Sequence, residues 1–453
     1  MASQTTQELA LARLDDAIGR VCSVPEACAR DPGRDFTRSR KLPLPKLVRL
    51  MVTWGGDTIP VELNDAFGWD GGAPTASAFC QQRAKLRDDV MPRVNEAFLG
   101  MWGHVPFGDG YRLLGVDGTS VALPGSDDPR TRVRSNQGSA ERNEAHPSIL
   151  YDISRRTFED MVWQGAKEQD EPGAFCELVD RLPPAEGADG LALVPLVLAD
   201  RNYCTHNALS HLIEAGCSFC LRARDCWVEG FLGEGKVPEG EFDLEEERVF
   251  VRTRSLAART RPDEPEAYRR IKSTTRLDAL PSGGRGEWAL RVRVVRARVP
   301  AHDEDPDQGD AWMNLVTDIP EDEMGAGDLP SLYMMRWEHE VSYGHLKNVC
   351  GLRDPRTRDY DRARMEVWGR LILFNVCSLG TRDALASSHA GRRLRRAPDL
   401  KTSFKGMRRA MRGVVVDLAA VASRCTHSVP PAGRRYPRRR RNRSPAKLGH
   451  RCC

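Results

Sequence analysis

A chain of 453 residues can bury more than one hydrophobic core, and 68 Lys plus Arg against 64 Asp plus Glu leave a net charge of only +4, so charge alone names no partner. No run of about 18 apolar residues exists for a membrane helix, and the start, MASQTTQELALARLDD, lacks a basic leader with an apolar core. Thirteen scattered cysteines fit reduced thiols in a cytoplasmic protein better than a disulfide framework.

Ten of the 68 cations are Lys and the rest Arg. Arg suits phosphate and guanine through its bidentate fork, although a codon bias gives the same excess. The N-terminus predicts a helix from Thr5 to about Val21, then a loop with Pro25, Pro32 and Gly33. From Leu44, PKLVRLMVTW, IPVELNDAFGW and ASAFCQQRAKL predict three short helices, the last capped by Thr75. The third displays Gln81 and Arg83. The set fits either a helix-turn-helix-like DNA reader or a plain supporting bundle. Residues 1–110 are therefore expected to be a helical N-terminal DNA-binding domain.

From Tyr111 the period shifts toward strands. YRLLGVDGTSVALP, HPSILYDI and RTFEDMVWQG predict three strands, the last two joined at Ser154–Arg155. GAFCELVDRL predicts a helix, LVPLVLAD a strand, HNALSHLIEAG a helix and CSFCLRAR a strand. Cys217 and Cys220 could begin a zinc site, but with no clear second pair they read as sheet packing. Asp117 lies inside the first apolar run, and Asp200 ends the fourth strand. Such an Asp is costly unless something pairs with it, or unless it only caps the next turn.

Asp200 and Glu340 lie 140 residues apart (340 − 200), more than a helix and a loop require. Residues 225–312 fill that gap with strand-like pieces, EERVFVRTRSL and EWALRVRVVRARV. In the latter, Arg291 and Arg293 share one strand face, and Arg296 and Arg298 the other. Adjacent Val294 and Val295 break the alternation, and a β-bulge there would gather all four arginines on one cationic face able to follow a phosphate backbone. A solvated sheet face is the plainer reading. The expected partition is 111–224 and 313–390 for the two parts of a catalytic core, 225–312 for a β insertion, and 391–453 for a basic, partly disordered tail.

The stretch Tyr333–Lys347, YMMRWEHEVSYGHLK, sets Tyr333, Arg336, Glu340 and Lys347 at intervals of 3, 4 and 7 residues. These return to one face of an α-helix. A carboxylate can hold a divalent metal, and Arg and Lys can hold phosphate oxygens. With Asp117 and Asp200, three carboxylates could hold two Mg²⁺ ions for in-line phosphoryl chemistry.

On these residues the chain resembles the DDE transposases of bacterial insertion sequences, in the group typified by insertion sequence four. Tyr333, Arg336, Glu340 and Lys347 match that group's Y-(2)-R-(3)-E-(6)-K signature. VDGTS resembles its first acidic motif and LADRNY its second. The resemblance runs from about Phe36 to Asn375, and departs at Asn202, His339 and Gly344. It implies an α/β, ribonuclease-H-like catalytic domain interrupted by a mainly β insertion that contacts DNA. It implies that Asp117, Asp200 and Glu340 bind two Mg²⁺ ions, with Mn²⁺ able to substitute, and that Tyr333, Arg336 and Lys347 hold DNA phosphates. Cleavage at element ends, strand transfer into target DNA and a homodimeric synaptic complex would follow, in the bacterial cytoplasm at the nucleoid. The alternative is a catalytically decayed copy that kept the fold and binds DNA.

Overall fold

The computed structural model describes residues 5–38, 41–108, 110–134, 141–187, 190–251, 268–271, 275–279, 287–298, 312–352, 355–389 and 396–428. Helix α1 (Thr6–Cys22) opens with a capping box: Glu8 N–H donates to Thr5 Oγ1 at 3.2 Å, and Thr5 N–H donates to Glu8 Oε2 at 3.0 Å. Its stripe of Ala10, Leu14, Ala17 and Ile18 is buried. Helices α2 (Leu44–Thr53), α3 (Ile59–Phe67), α4 (Ala76–Arg83) and α5 (Val90–Leu99) complete the N-terminal part.

The first predicted strand divides into β1 (Tyr111–Gly118) and β2 (Val121–Ala122). There follow β3 (Arg132–Val133), β4 (Arg142–Asp152), β5 (Thr157–Gly165), α6 (Glu171–Asp180), β6 (Val194–Ala199), α7 (His206–Glu214) and β7 (Ser218–Ala223). The predicted alternation of strands and helices is present. In the sheet β4 lies antiparallel between β1 and β5, while β1, β6 and β7 run parallel.

Next come α8 (Asp225–Leu232), β8 (Phe242–Val251), β9 (Tyr268–Arg270), β10 (Glu287–Arg298) and β11 (Trp312–Thr317). Strands β8, β9 and β10 do not make a sheet of their own. β11 pairs with β7, and β10, β8 and β9 continue outward in one mixed sheet of 11 strands. The expected bulge is absent: β10 pairs with β8 without a register shift from Glu287↔Val251 to Arg296↔Phe242. Val294 and Val295 need none, because the sheet is covered on both faces. Val295 packs into the core shared with the helical bundle, and Val294 into the core under α6, α7 and α8.

The described residues close with α9 (Leu329–Met334), α10 (Trp337–Asn348), α11 (Tyr360–His389), β12 (Arg396–Pro398), α12 (Leu400–Met411), α13 (Leu418–Arg424) and β13 (Thr426–Ser428). The long α11 is the hub that α1, α2, α5, α12 and α13 touch. The single helix expected over Tyr333–Lys347 is instead two. At the junction Arg336 N–H donates to Tyr333 O at 3.1 Å and His339 N–H to Arg336 O at 2.9 Å. These i→i+3 bonds tighten the turn to about three residues, so Tyr333, Arg336 and His339 fall nearly in line.

The tail also needs correction. Within the basic tail expected over 391–453, α12 is a packed amphipathic helix: Phe404, Met407 and Met411 are buried. Arg412 ion-pairs with the fully buried Glu62, and Arg408 Nη1 donates to Gly55 O at 3.1 Å. The run RRYPRRRRNR lies outside the described residues. Among those described, no helix is long and apolar enough to cross a membrane.

Candidate active site

The parallel pairing of β1 with β6 brings the two Asp motifs together. The paired register ends at Gly115↔Leu198, and Asp117 and Asp200 each follow two residues later, Asp200 just beyond the end of β6. Adjacent strands are about 4.8 Å apart, and both acids emerge at the strands' carboxyl ends, where open α/β sheets form their sites. Helix α10 lies across this end. Gly115 allows the approach, since a Cβ there would already touch His339 Nδ1 at 3.4 Å. Tyr343 O–H donates to the Asp117 backbone oxygen at 2.6 Å, and Tyr151 and Ser342 hydroxyls meet at 2.6 Å.

Glu340, on the same helix, acts through its charge on Asp117. The Asp117 carboxyl is pushed up to about 6, first by burial and further by the charges of Glu340 and Asp200; Arg336 and the Gly118 N–H oppose the rise. Arg336 Nη2 donates to Glu340 Oε1 at 2.9 Å, and its guanidinium lies 5.6 Å from the Tyr333 ring centre. Lys347 Nζ lies 5.6 Å from the Tyr343 ring centre. Glu338 faces elsewhere, paired with Arg156 at 3.1 Å. Asp117 thus lies within the electrostatic reach of Arg336, Glu340 and Asp200. Among the described residues no three His, Cys, Asp or Glu side chains close into a ready metal cage. The chemistry of the donor set still suits a hard divalent cation: oxygen ligands, like charges that raise one another, and too little positive charge nearby.

Five buried atoms in the motifs have no hydrogen-bond partner among the described residues: Tyr203 Oη, Thr119 Oγ1, Arg336 Nε, and His339 Nδ1 and Nε2. Tyr203 feels the charges of Asp117, Glu171 and Asp200, and with its burial these push the phenol well above its ordinary range.

Residues 108–376 match the family model described as a transposase DDE domain. The chain belongs to that family. It is 24% identical over 273 residues to the transposase for insertion sequence element IS421 of Escherichia coli, covering 58% of this chain. InsL from insertion sequence element IS186A of Escherichia coli K12 matches over the same length with the same identity. The match spans 64% of each relative's own length. Among solved structures, a piggyBac transposase synaptic complex with hairpin DNA aligns at a TM-score of 0.41 and 10% identity, covering 81% of this chain and 69% of that one.

The other DNA-contact candidates of this transposase-family chain are placed less favourably. Arg83 is turned inward and ion-pairs with Glu366 on α11, whereas Gln81 is exposed and donates to Ser77 Oγ at 3.2 Å. Arg293 is buried against Asp243 and donates to Met324 O at 2.7 Å. Arg291 is exposed and pairs with Glu245 at 2.7 Å; Arg296 pairs with Asp225 at 3.2 Å and Arg298 with Glu241 at 3.8 Å. Acids flanking or facing β10 neutralise the expected cationic face. Sequence reasoning passes over Tyr203, Tyr343, His146 and Glu171. Tyr203 stands in the quoted LADRNY motif and Tyr343 in the signature stretch. His146 and Glu171 carry no local signal, one in an apolar strand and the other in an acidic turn.

Proposed function

We propose that the chain is a transposase that cleaves DNA at the ends of its element and joins those ends to target DNA. The observation that supports this is the buried Asp117 on β1, which feels the charges of Glu340 on α10 and of Asp200 just past β6, with Tyr343 of α10 hydrogen-bonded to its backbone. The sheet order β5-β4-β1-β6-β7, three antiparallel strands followed by two parallel ones, supports a ribonuclease-H-like core.

In this reading Asp117, Asp200 and Glu340 hold two Mg²⁺ ions, or Mn²⁺ in their place. Bound ions would activate the attacking oxygen and stabilise the leaving one. The chain's own residues set the frame. Arg336 orients Glu340, and Lys347, partly exposed, is the signature cation that would meet DNA phosphates; Tyr333, expected to share that role, is buried in the core instead. Tyr343 fixes the backbone of Asp117. The helical residues 1–110 and the exposed Gln81, Arg291 and Arg298 are the places to seek duplex contacts, with residues 225–312 flanking the core. Two copies would pair two element ends in the bacterial nucleoid.

The test is Mg²⁺-dependent cleavage and strand transfer on duplexes carrying the element's terminal inverted repeats. Glu340→Gln should abolish both while leaving DNA binding intact, and Glu338→Gln should retain them. Wild-type binding without cleavage would instead establish a decayed DNA-binding copy. Full activity in Glu340→Gln would overturn the site assignment.

A further inference from the structure

Behind Asp117 sits a second polar pair that neither acidic motif contains. His146 on β4 is buried, and its Nε2 lies 2.8 Å from Oε1 of Glu171, in the first turn of α6. Gln169 Nε2 donates to the same Glu171 oxygen at 3.0 Å. The hydrogen bond from His146 holds the Glu171 carboxyl below its ordinary range. Glu171 reaches the site electrostatically, since its charge acts on both Tyr203 and Tyr343, as that of Asp117 does.

The pair packs on a bare α-carbon. A Cβ built at Gly118 would collide with His146 Nε2 and come within 2.9 Å of Glu171 Oε1. Gly118 pairs with Ser148 across the ladder, and Thr119 N–H donates to Pro147 O at 3.0 Å, so β4 holds this stretch of β1 through consecutive residues. The Gly118 N–H in turn donates to Asp117 Oδ1 at 2.9 Å. The path runs from Glu171 to His146, to the α-carbon of Gly118, and through its amide to the Asp117 carboxylate.

We propose that His146 and Glu171 are positioning residues that press on Gly118 and thereby fix the Asp117 carboxylate for its cation. The proposal rests on the metal-binding reading above. It gives Gly118 a reason of space rather than of turn geometry. Outer-shell groups that orient a metal ligand typically contribute tenfold or more in affinity.

The test measures Mn²⁺ affinity of the full chain by titration calorimetry, together with its melting temperature. His146→Ala and Glu171→Gln should each weaken Mn²⁺ binding about tenfold with melting little changed. Gly118→Ala should weaken it as well. The double variant Gly118→Ala/His146→Ala should bind at least about fivefold more tightly than Gly118→Ala alone, a coupling of the size seen between touching residues. If His146→Ala does not fold, Glu171→Gln carries the measurement. A double variant no better than Gly118→Ala, or wild-type affinity in Glu171→Gln, overturns the proposal. Asp117→Asn separates the two levels. If it binds Mn²⁺ like the wild type, the metal reading falls and this proposal with it; if it loses Mn²⁺ while the His146 and Glu171 variants keep it, only this proposal falls.

Discussion

Strand β1 carries a cluster of charges near each end, and the two clusters are built on opposite plans. Near its start Arg112 is almost fully buried, and its Nε donates to Asp152 Oδ2 at 3.2 Å and its Nη2 to Glu159 Oε2 at 3.0 Å. Arg155 completes the set, its backbone N–H meeting Asp152 Oδ1 at 2.8 Å and its Nη2 meeting Glu159 Oε2 at 2.7 Å. Two cations face two acids. Burial raises the Asp152 carboxyl, but the hydrogen bond from His104 and the charges of Arg155 and Arg112 outweigh it and hold the group below its ordinary range. Near the other end Asp117 also suffers burial, yet its neighbours are two more acids and a single Arg, and its carboxyl rises to about 6. The same penalty is offset at one end and left standing at the other. Balanced charge marks a structural joint, and uncompensated charge marks a place prepared for a cation that the chain does not itself supply.

Breaking the balanced end should have the largest effect. Arg112→Met strands Asp152 and Glu159 with too few partners, and should cost about 3–5 kcal/mol in urea unfolding. A loss under about 1 kcal/mol would mean that the lower cluster is not the joint described. At the acidic end the sign reverses. Asp117→Asn should not destabilise the metal-free protein above pH 6, and should stabilise it by roughly 1–3 kcal/mol. The wild-type folded state binds the Asp117 proton more tightly than the unfolded chain does. Its stability contribution is therefore present below about pH 4 and lost as pH rises through about 6. Melting curves of the metal-free wild type and variant between pH 4 and 8 should diverge as pH rises; parallel curves would remove the contrast between the two ends.

The contrast sharpens further on β10. Arg293 belongs with the balanced kind, so Arg293→Gln should lower stability by about 1–3 kcal/mol, the cost of leaving Asp243 without its partner. It should leave the salt dependence of DNA binding unchanged. Arg291 and Arg298 stand in solvent with loosely held acids. Replacing both with Gln should leave stability within about 0.5 kcal/mol. The log–log salt slope should flatten by about one unit for each phosphate that the strand no longer neutralises. An unchanged slope would move end recognition away from this strand, toward the surface around Gln81.

Much of the acidic end is legible in the sequence. An Asp inside an apolar strand is a local anomaly, and the Tyr–Arg–Glu–Lys spacing is a local pattern, so Asp117, Asp200, Glu340 and Arg336 can be named from their own neighbourhoods. The alternation of strands and helices from Tyr111 to Ala223 is legible for the same reason, since strand and helix periods are written in short windows. Arg83 and Arg293 mislead because their partners are remote: Glu366 is 283 residues from Arg83, and Asp243 is 50 from Arg293. An arginine reads as cationic surface until the fold brings an acid to it. The segment 400–411 misleads in the opposite way, because its many cations hide an apolar stripe that has meaning only against α11 and the loop at Gly55.

The sequence by itself named the candidate residues and most of the short elements that hold them, since backbone preference and hydrophobic period are local properties. The tertiary structure alone decided which charges are spent on one another and which are left over. It aligned the strands that lead into the two Asp motifs, laid α10 against Gly115, and placed His146 against Gly118. Ionic balance depends on distance in space and on the removal of water, and neither is written in the order of residues along the chain.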